Sequence, residues 1–397
     1  MQEYVLSELD SGERLITERL TSVRSVSLGF WIGAGARDEP DAKAGVSHFI
    51  EHLLFKGTRS YDAQQIAEVF DEMGGELNAA TSREHTVVYA RVPDRHLETA
   101  LDVMADMVFS PTFADIDSER EVVLEEIAMV EDAPQDLVHD LFSEAVFHEH
   151  PLGRPVIGRA EVIRSISRRS LERYHSSAYA PANVVLAAAG NVDHERLVEL
   201  FAARRDSAAA RLDLARRRVG KVRAPGFRFL QKDTEQYHVC LVGPGITHDD
   251  ERRYAAALLD AILGGSASSR LFQEIREKRG MAYSVYTFGS QYRDAGQAGL
   301  YVGTREDNLD ECLEVAAAEL RDVGAGQVDP VELRRAQENL KARLLLSLES
   351  TSSRMNRLGK ALVTETELVP IDETIRRLEA VTVDDVARLA AESRSGA

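Results

Sequence analysis

Two histidines and a glutamate interrupt an apolar stretch at residues 48–58, HFIEHLLFKGT. His48 and His52 are four residues apart, so on a helix they project from neighbouring turns about 40° apart, and Glu51 lies roughly 100° from His52, on the side nearer His48. The three side chains therefore share one arc and can reach a common point. Two imidazoles at this spacing can supply two ligands of a zinc site, but a catalytic zinc ion needs a third protein ligand. An isolated HxxEH also recurs by chance, so an ordinary packed histidine pair remains an alternative here.

A second segment, DSEREVVLEEIAMVED, carries carboxylates where a helix should be apolar. On a helical wheel, Glu119 and Glu126 fall in the middle of the predicted buried arc, about 20° apart, whereas Glu121 and Glu125 point to solvent. The residues that define this arc are Val122, Val123, Ile127, Met129 and Val130. Because an unpaired buried charge is very costly, the pattern predicts a cation next to the two inward carboxylates.

The elements that must position these residues recur twice along the chain. The first half reads as a strand (RSVSLGFWIGAG), a helix (AGVSHFIEHLLFKG) and a hairpin (ELNAATSREHTVVYARV). The second half repeats that order with QYHVCLVGPGI, ERRYAAALLDAILGG and the hairpin MAYSVYTFGSQY with AGQAGLYVGT. Internal duplication with matching element order predicts an α+β fold of two homologous domains, each a mostly antiparallel sheet flanked by helices.

The two predicted domains differ in the helix slot that holds the histidines. Where the first half has SHFIEHLLFKGT, the second has YAAALLDAILGGS, which contains only core-type residues and no metal motif. We place the zinc-binding catalytic domain at residues 1–202, an Ala/Arg-rich linker at 203–225 and the homologous second domain at 226–397. The second half ends soon after VTVDDVARLAAESRSGA, so its final strand is predicted to be missing, through truncation or a different edge.

Composition excludes several classes of protein. The 397 residues include 66 acidic and 48 basic side chains, for a formal net charge of -18, which argues against a general nucleic-acid binder. That charge favours a cationic partner or substrate, although it also serves solubility. Cys240 and Cys312 lack CxxC partners and are predicted to be small buried hydrophobes. The first residues do not resemble a signal peptide and no apolar run suits a membrane span, which predicts a cytoplasmic protein.

HFIEH followed by EREVVLEE resembles the inverted zinc-binding motif of the inverzincins, the family of pitrilysin, insulin-degrading enzyme and mitochondrial processing peptidase. FKGT, GGELNAATSREHT and HPLGRPVIG also look like segments of that family, in particular of its short two-domain bacterial members that resemble processing peptidases. The resemblance implies that His48, His52 and Glu126 hold one Zn²⁺ per chain and that Glu51 is the general base. Glu119 would then orient a ligand histidine.

The same resemblance assigns substrate contacts outside the metal motif. Asn78 and Ala79 match positions where a substrate backbone adds to an exposed strand edge, although an Asn there could simply be a turn residue. IREKRGMAYSVY resembles the arginine-and-tyrosine element of the family, so that Tyr283 would donate to the developing oxyanion and Arg276 would hold the peptide. From the residues alone, Arg276 reads as a solvated helix charge and Tyr283 as a core aromatic.

As a whole, the resemblance implies a zinc-dependent endopeptidase that hydrolyses unstructured, possibly basic, peptides in an enclosed chamber. It also implies a homodimer whose sites are completed in trans, with a heterodimer as the alternative. A non-catalytic family subunit and a metal hydrolase of non-peptide substrates remain competing hypotheses. We expect His148 and His150 in FHEHP to be structural, and His85 to be a packed or solvated neighbour of the site. The glycine-rich stretches carry no Walker or Rossmann pattern, so nucleotide binding is not indicated.

Overall fold

The computed structural model describes residues 4–204 and 226–395. Its strands are β1 Val5–Glu8, β2 Arg14–Arg19, β3 Ser25–Ile32, β4 Glu76–Thr81, β5 Thr86–Pro93, β6 Val184–Gly190, β7 Tyr237–Pro244, β8 Ala282–Gln291 and β9 Gly296–Thr304. Its helices are α1 Val46–Leu54, α2 Ala63–Met73, α3 Leu97–Phe109, α4 Ile116–Asp132, α5 Pro134–Phe147, α6 Ala160–Ser165, α7 Arg168–Ala178, α8 His194–Ala202, α9 Arg253–Leu263, α10 Leu309–Gly324, α11 Pro330–Ser347, α12 Thr351–Thr364, α13 Ile371–Glu379 and α14 Val383–Ser395.

The first sheet has six strands in the order β1-β2-β6-β3-β5-β4, and only the β2–β6 pair is parallel. Alternation along β3 sends Phe30 to one face and Trp31 to the other. The Phe30 face meets α1 and α3, where Phe49 and Leu101 are fully buried. The predicted hairpin of the first half is β4–β5, and β4 is an edge strand that pairs with β5 alone among the described strands.

The opposite face of the first sheet is covered by α12, a helix from the second half of the chain. Met355 and Leu358 of α12 are fully buried in a cluster with Trp31 and Val185. The approach is so close that a Cβ at Gly359 would lie 2.0 Å from Trp31 Nε1. A glycine is therefore required where this helix crosses the sheet.

The second sheet has the order β7-β9-β8, with both pairs antiparallel. One face packs on a core to which α9, α10 and α14 contribute, where Leu258 and Val302 are buried. The other face is covered by α5, a helix from the first half, through Phe142, whose ring lies 4.8 Å from that of Phe288. The predicted α+β fold with two sheets, mostly antiparallel and flanked by helices, is confirmed.

These contacts group the described chain into two compact units built from alternating segments. The first unit contains residues 4–128, 154–204 and 346–368, and the second contains 129–153, 226–345 and 369–395. Each sheet thus takes one covering helix from the other half of the sequence. The division of the repeat at a linker of residues 203–225 stays a prediction, because 205–225 lie outside the described residues.

Two composition-based predictions can be compared with the structure. Cys312 is buried, in agreement with its assignment as a small buried hydrophobe, whereas Cys240 is only partly buried. Among the described helices, none is long and apolar enough to cross a lipid bilayer. The cytoplasmic location stays a prediction.

Candidate metal centre

Helix α1 carries the two histidines and the glutamate of the first motif. It begins after Gly45, which adopts a φ of 94°, and its apolar face is buried against the first sheet. His48 and His52 lie on the opposite side, with ring centroids 4.6 Å apart and side chains 16% exposed. The helix therefore uses its apolar face for the core and presents the histidine pair at a partly open surface.

Helix α4 brings a carboxylate to this pair. Glu126 Oε2 lies 3.6 Å from His48 Nε2 and 3.4 Å from His52 Nε2. One potential ligand atom from each of the three residues can be chosen so that all lie within 4.8 Å of one another. This is the one group of three or more metal-ligating side chains found within the part of the chain that the structure describes.

The donor set fits a zinc ion. Zinc prefers nitrogen and oxygen ligands in a tetrahedron with bonds near 2.0–2.1 Å, which places the ligand atoms roughly 3.3 Å apart. The two distances from Glu126 are close to that separation. Burial, together with the neighbouring His52, lowers the pKa of His48 to about 4, so this imidazole is neutral at physiological pH, as ligation requires.

A partly buried ion pair adjoins His52. Glu119 Oε1 is 2.9 Å from His52 Nδ1, and Glu119 Oε2 is 2.7 Å from Lys56 Nζ. Glu119 is only 5% exposed, so these two contacts replace the water that its carboxylate oxygens would otherwise bind. The contact assigns the proton of the neutral ring to Nδ1 and leaves Nε2 free for a metal. Sequence reasoning identified Glu119 but missed Lys56, although FKGT places it four residues after His52.

Glu51 projects from α1 toward the end of β4. Its Oε2 accepts a hydrogen bond from Thr81 Oγ1 at 2.5 Å. Burial raises the pKa of the Glu51 carboxyl, and hydrogen bonding to Thr81 opposes that rise. A raised pKa makes this carboxylate a better proton acceptor than a fully solvated one. Thr81 was not predicted, because only the fold brings β4 to this helix.

The start of α1 is capped by a residue that sequence reasoning also missed. Glu39 Oε2 accepts the Gly45 N–H at 2.7 Å, and Oε1 accepts the Ser47 N–H at 2.8 Å. Glu39 is 3% exposed, and burial raises its pKa to about 7. Arg154 holds the same loop by donating to the Glu39 carbonyl oxygen at 2.9 Å. The cap ties the first turn of the histidine helix to the loop that precedes it.

The predicted buried arc of α4 is too wide. Glu119, Val123 and Ile127 are buried at successive helical turns, and Glu121 and Glu125 are exposed as predicted. Val122 and Met129, however, are 45% and 70% exposed. They flank Glu126 at intervals of four and three residues, so they lie on its half-exposed side of the helix. The wheel counted every apolar residue as buried, whereas α4 buries only a narrow stripe.

The residues predicted to contact the substrate backbone lie on the edge strand of the first sheet. Asn78 is exposed and Ala79 is buried at 9% exposure. Asn78 Oδ1 accepts the backbone N–H of Ala79 at 2.8 Å. Asn78 is therefore a strand residue rather than a turn residue.

Arg276 and Tyr283 belong to the second unit and contact each other there. The Arg276 guanidinium lies 4.5 Å from the centroid of the Tyr283 ring and 4.7 Å from that of Phe272. Arg276 stands in a π-helical turn, Phe272–Glu277, a rare geometry that is frequent at functional sites. Tyr283 is 76% exposed, so its reading from the residues alone as a core aromatic is wrong.

The remaining histidines stay outside the metal-ligating group. His150 Nδ1 accepts the Leu152 N–H at 3.2 Å, and His148 ends α5 with a φ of 52°. The His150 contact agrees with its expected structural role, whereas the role expected for His148 stays a prediction. His85 packs on Trp31 with ring centroids 5.2 Å apart, and burial lowers its pKa to about 4. His85 is therefore packed, one of the two alternatives expected, but it packs on the face of the first sheet that α12 covers and not on the face that meets α1.

Two protein-family models match the chain. The model described as insulinase, peptidase family M16, matches residues 14–160, and the model described as the peptidase M16 inactive domain matches residues 165–340. The first match contains both motifs of the metal centre, and the second contains the arginine-and-tyrosine element.

Similar proteins cover almost all of the chain. An uncharacterized zinc protease of Streptomyces coelicolor is 42% identical, with 96% of this chain and 85% of the relative aligned. The uncharacterized zinc protease YmxG of Bacillus subtilis is 41% identical, over 96% of this chain and 93% of its own length. Among solved structures, a protease from Helicobacter pylori is 22% identical with a TM-score of 0.91, over 98% of this chain and 96% of that one.

Proposed function

The chain belongs to the insulinase family, peptidase family M16, and on that premise we propose that it is a zinc-dependent endopeptidase that hydrolyses unstructured peptides in an enclosed chamber. The observation that carries the proposal is the group formed by His48, His52 and Glu126, with ligand atoms within 4.8 Å of one another. Glu51, one residue before His52 on the same helix, adds a proton acceptor beside that group.

The proposed ligands of one zinc ion per chain are His48, His52 and Glu126, which leave a fourth position for water. A bound zinc ion lowers the pKa of such a water toward neutrality and polarises a peptide carbonyl. Glu119 holds the His52 ring in the tautomer that leaves Nε2 free.

Glu51 is the proposed general base and, later, the general acid. It takes the proton of the attacking water and delivers it to the leaving amine. Its pKa, raised by burial, supports both steps, because the carboxyl must be protonated and deprotonated in each turnover.

Arg276 and Tyr283 are the proposed groups of the second half. The exposed Tyr283 hydroxyl would donate to the oxyanion as the carbonyl is attacked. Arg276, held over the Tyr283 ring, would bind the peptide backbone nearby.

The proposed substrate backbone pairs with the free edge of β4. Asn78 and Ala79 lie on this edge, and main-chain pairing tolerates varied side chains, as an enzyme of unstructured peptides requires. The formal net charge of -18 favours basic peptides over acidic ones.

We further propose a homodimer in which the metal centre of one subunit works with the Arg276 and Tyr283 element of the other. The test mixes two inactive variants, Glu51→Gln and Tyr283→Phe. If sites are completed in trans, mixed dimers contain one site without either substitution and recover part of the activity. If mixed dimers form but recover no activity, the proposal that the two subunits complete each other's active sites is contradicted.

Two alternatives predict different outcomes. A non-catalytic subunit, suggested by the description of the second matching domain as inactive, would bind neither zinc nor peptide productively. The intact group of His48, Glu51, His52 and Glu126 argues against it. A metal hydrolase of another substrate class would bind zinc and leave peptides intact.

The deciding experiment incubates the purified full chain, loaded with zinc, with a library of unstructured peptides that includes basic members, followed by mass spectrometry. We expect cleavage that a chelator abolishes and added zinc restores. Zinc binding without cleavage of any peptide supports the non-peptide alternative, and absence of both zinc and cleavage overturns the proposal.

A further inference from the structure

Thr81, the last residue of β4, contacts the proposed general base directly. Its hydroxyl donates to Glu51 Oε2 at 2.5 Å. A hydrogen bond to a carboxylate is short and strong, and a donor held at the end of a strand fixes where the carboxylate oxygen lies. The orientation of Glu51 is therefore set from β4 as well as from its own helix.

The hairpin turn holds Thr81 in place. Thr81 is opposite Thr86 in the last pair of β4 and β5, and the Ser82 N–H donates to the His85 carbonyl oxygen at 2.8 Å across the turn. Thr86 is 1% exposed and donates to the Ala34 carbonyl oxygen at 3.0 Å. The Thr81 hydroxyl thus stands at the end of a strand whose partner is anchored in the sheet.

The second half contains the same hairpin without these hydroxyls. In β8 and β9 the last pair is Gln291 opposite Gly296, and the Tyr292 N–H donates to the Ala295 carbonyl oxygen at 2.8 Å. Gln291, in the place of Thr81, is exposed. The turn therefore forms without the threonine, so formation of the hairpin does not explain Thr81.

We propose that Thr81 is a positioning residue that couples the substrate strand to the general base, an inference that rests on the proposed peptidase function. Asn78 and Ala79, the proposed contacts of the substrate backbone, lie three and two residues before Thr81 on the same strand. One rigid element then sets where the peptide lies and where the carboxylate points. This holds the Glu51 oxygen at a constant offset from the scissile bond of any peptide that pairs with β4.

The test compares Thr81→Val, which keeps the shape and removes the donor, with Thr81→Ser, which keeps the hydroxyl. Gln291→Ala, at the equivalent hairpin position of the second half, is the matched control. We expect Thr81→Val to lower kcat on a cleaved peptide by about 10–100-fold, the effect of losing one hydrogen bond to a charged group. KM should stay within about threefold and zinc content should be unchanged, because neither β4 pairing nor the ligands are altered. Thr81→Ser should retain kcat within about threefold, and Gln291→Ala should match the wild type.

Several results overturn the inference. These are a Thr81→Val variant with wild-type kcat, a Thr81→Ser variant as impaired as Thr81→Val, or a kcat loss that follows loss of zinc. If thermal unfolding shows that the Thr81→Val variant is not folded, the kcat and zinc content of Thr81→Ala are compared with those of Thr81→Ser by the same criteria. A wild-type protein that cleaves no peptide overturns the proposed function and this inference together. An active wild type with a fully active Thr81→Val overturns the inference alone.

Discussion

Helices α1 and α9 occupy the same place in the two repeats, since each lies between a strand and the hairpin of the same sheet and buries an apolar face. In α1 that face contains Phe49 and Leu53, and in α9 it contains Leu258 and Ile262. Helix α1 carries two histidines and a glutamate on its other side, whereas α9 carries none of the three among its residues Arg253–Leu263. The fold therefore forms without the two histidines and the glutamate, so their presence in α1 is better explained by function than by folding.

The difference extends to the groups around each helix. Glu51 receives a hydrogen bond from Thr81, and His52 contacts Glu119, which is paired with Lys56. The second hairpin carries Tyr283, which is exposed where a structural aromatic would be buried. Each half has thus acquired different polar groups on a common scaffold, which is consistent with a reaction that uses both.

The largest expected effect comes from Glu51→Gln, which removes the proton acceptor but keeps the shape of the side chain. We expect peptide cleavage to fall by about 10³-fold or more, because a carboxamide cannot act as a base. Zinc content, measured by metal analysis, should remain that of the wild type. Cleavage at the wild-type rate would refute the assignment of the first half as the source of the base.

Tyr283→Phe tests whether the second half takes part in the chemistry. Loss of an oxyanion donor should lower kcat by about 10²–10³-fold without change in zinc content. Its matched control is Tyr237→Phe, an exposed tyrosine on another strand of the second sheet, which should leave kcat unaltered. Equal kcat for the Tyr283→Phe variant and the wild type would mean that the second half serves only as scaffold.

The pH dependence of stability should distinguish the two helix starts. The pKa of Glu39 is raised to about 7 in the folded chain, so between about pH 4.5 and pH 7 the folded state keeps a proton that the unfolded state has released. The stability that Glu39 contributes should therefore fall as pH rises through this window, by up to about 3 kcal/mol.

Urea unfolding of the metal-free wild type and of Glu39→Gln across pH 4.5 to 8 would measure how the contribution of Glu39 to stability changes with pH. Asp250, before α9, gives the opposite sign. A hydrogen bond from Arg252 lowers the pKa of Asp250 from its ordinary value of 3.8, so its contribution should be lost only as pH falls below that value and should stay constant across pH 4.5 to 8. A wild-type advantage over Glu39→Gln that grows with pH would contradict the prediction.

Lys56→Met should produce the smallest of these effects. Removing the ammonium leaves the buried Glu119 without its charge partner and loosens its contact with His52. We expect zinc affinity, measured by competition with a chelator, to weaken by about 10–100-fold. Lys56→Arg, which keeps the charge, is the control. An equal zinc affinity for Lys56→Met and the wild type would show that Glu119 acts on His52 unaided.

Sequence periodicity predicted the fold class and both hairpins because it reports local burial, and the strands of each hairpin are neighbours in the chain. The same reasoning predicted that Glu119 and Glu126 point inward, and both contact the histidines in the structure. The helical wheel wrongly assigned the exposed Val122 and Met129 to the core, because a wheel records polarity and not how wide a stripe of α4 packs against the rest of the protein. Thr81 could not be found in this way, since its partner lies 30 residues away in another element.

The exchange of helices between the two halves has a consequence for how this gene can be divided. The first half, expressed alone through residue 202, would leave Trp31 and Val185 facing water on the surface where α12 belongs. Such a fragment would expose an apolar sheet face to water. We expect it to aggregate unless the 346–368 segment is supplied as a peptide or fused through a flexible linker. Each half is therefore expected to fold into a soluble domain only when the covering helix from the other half is present.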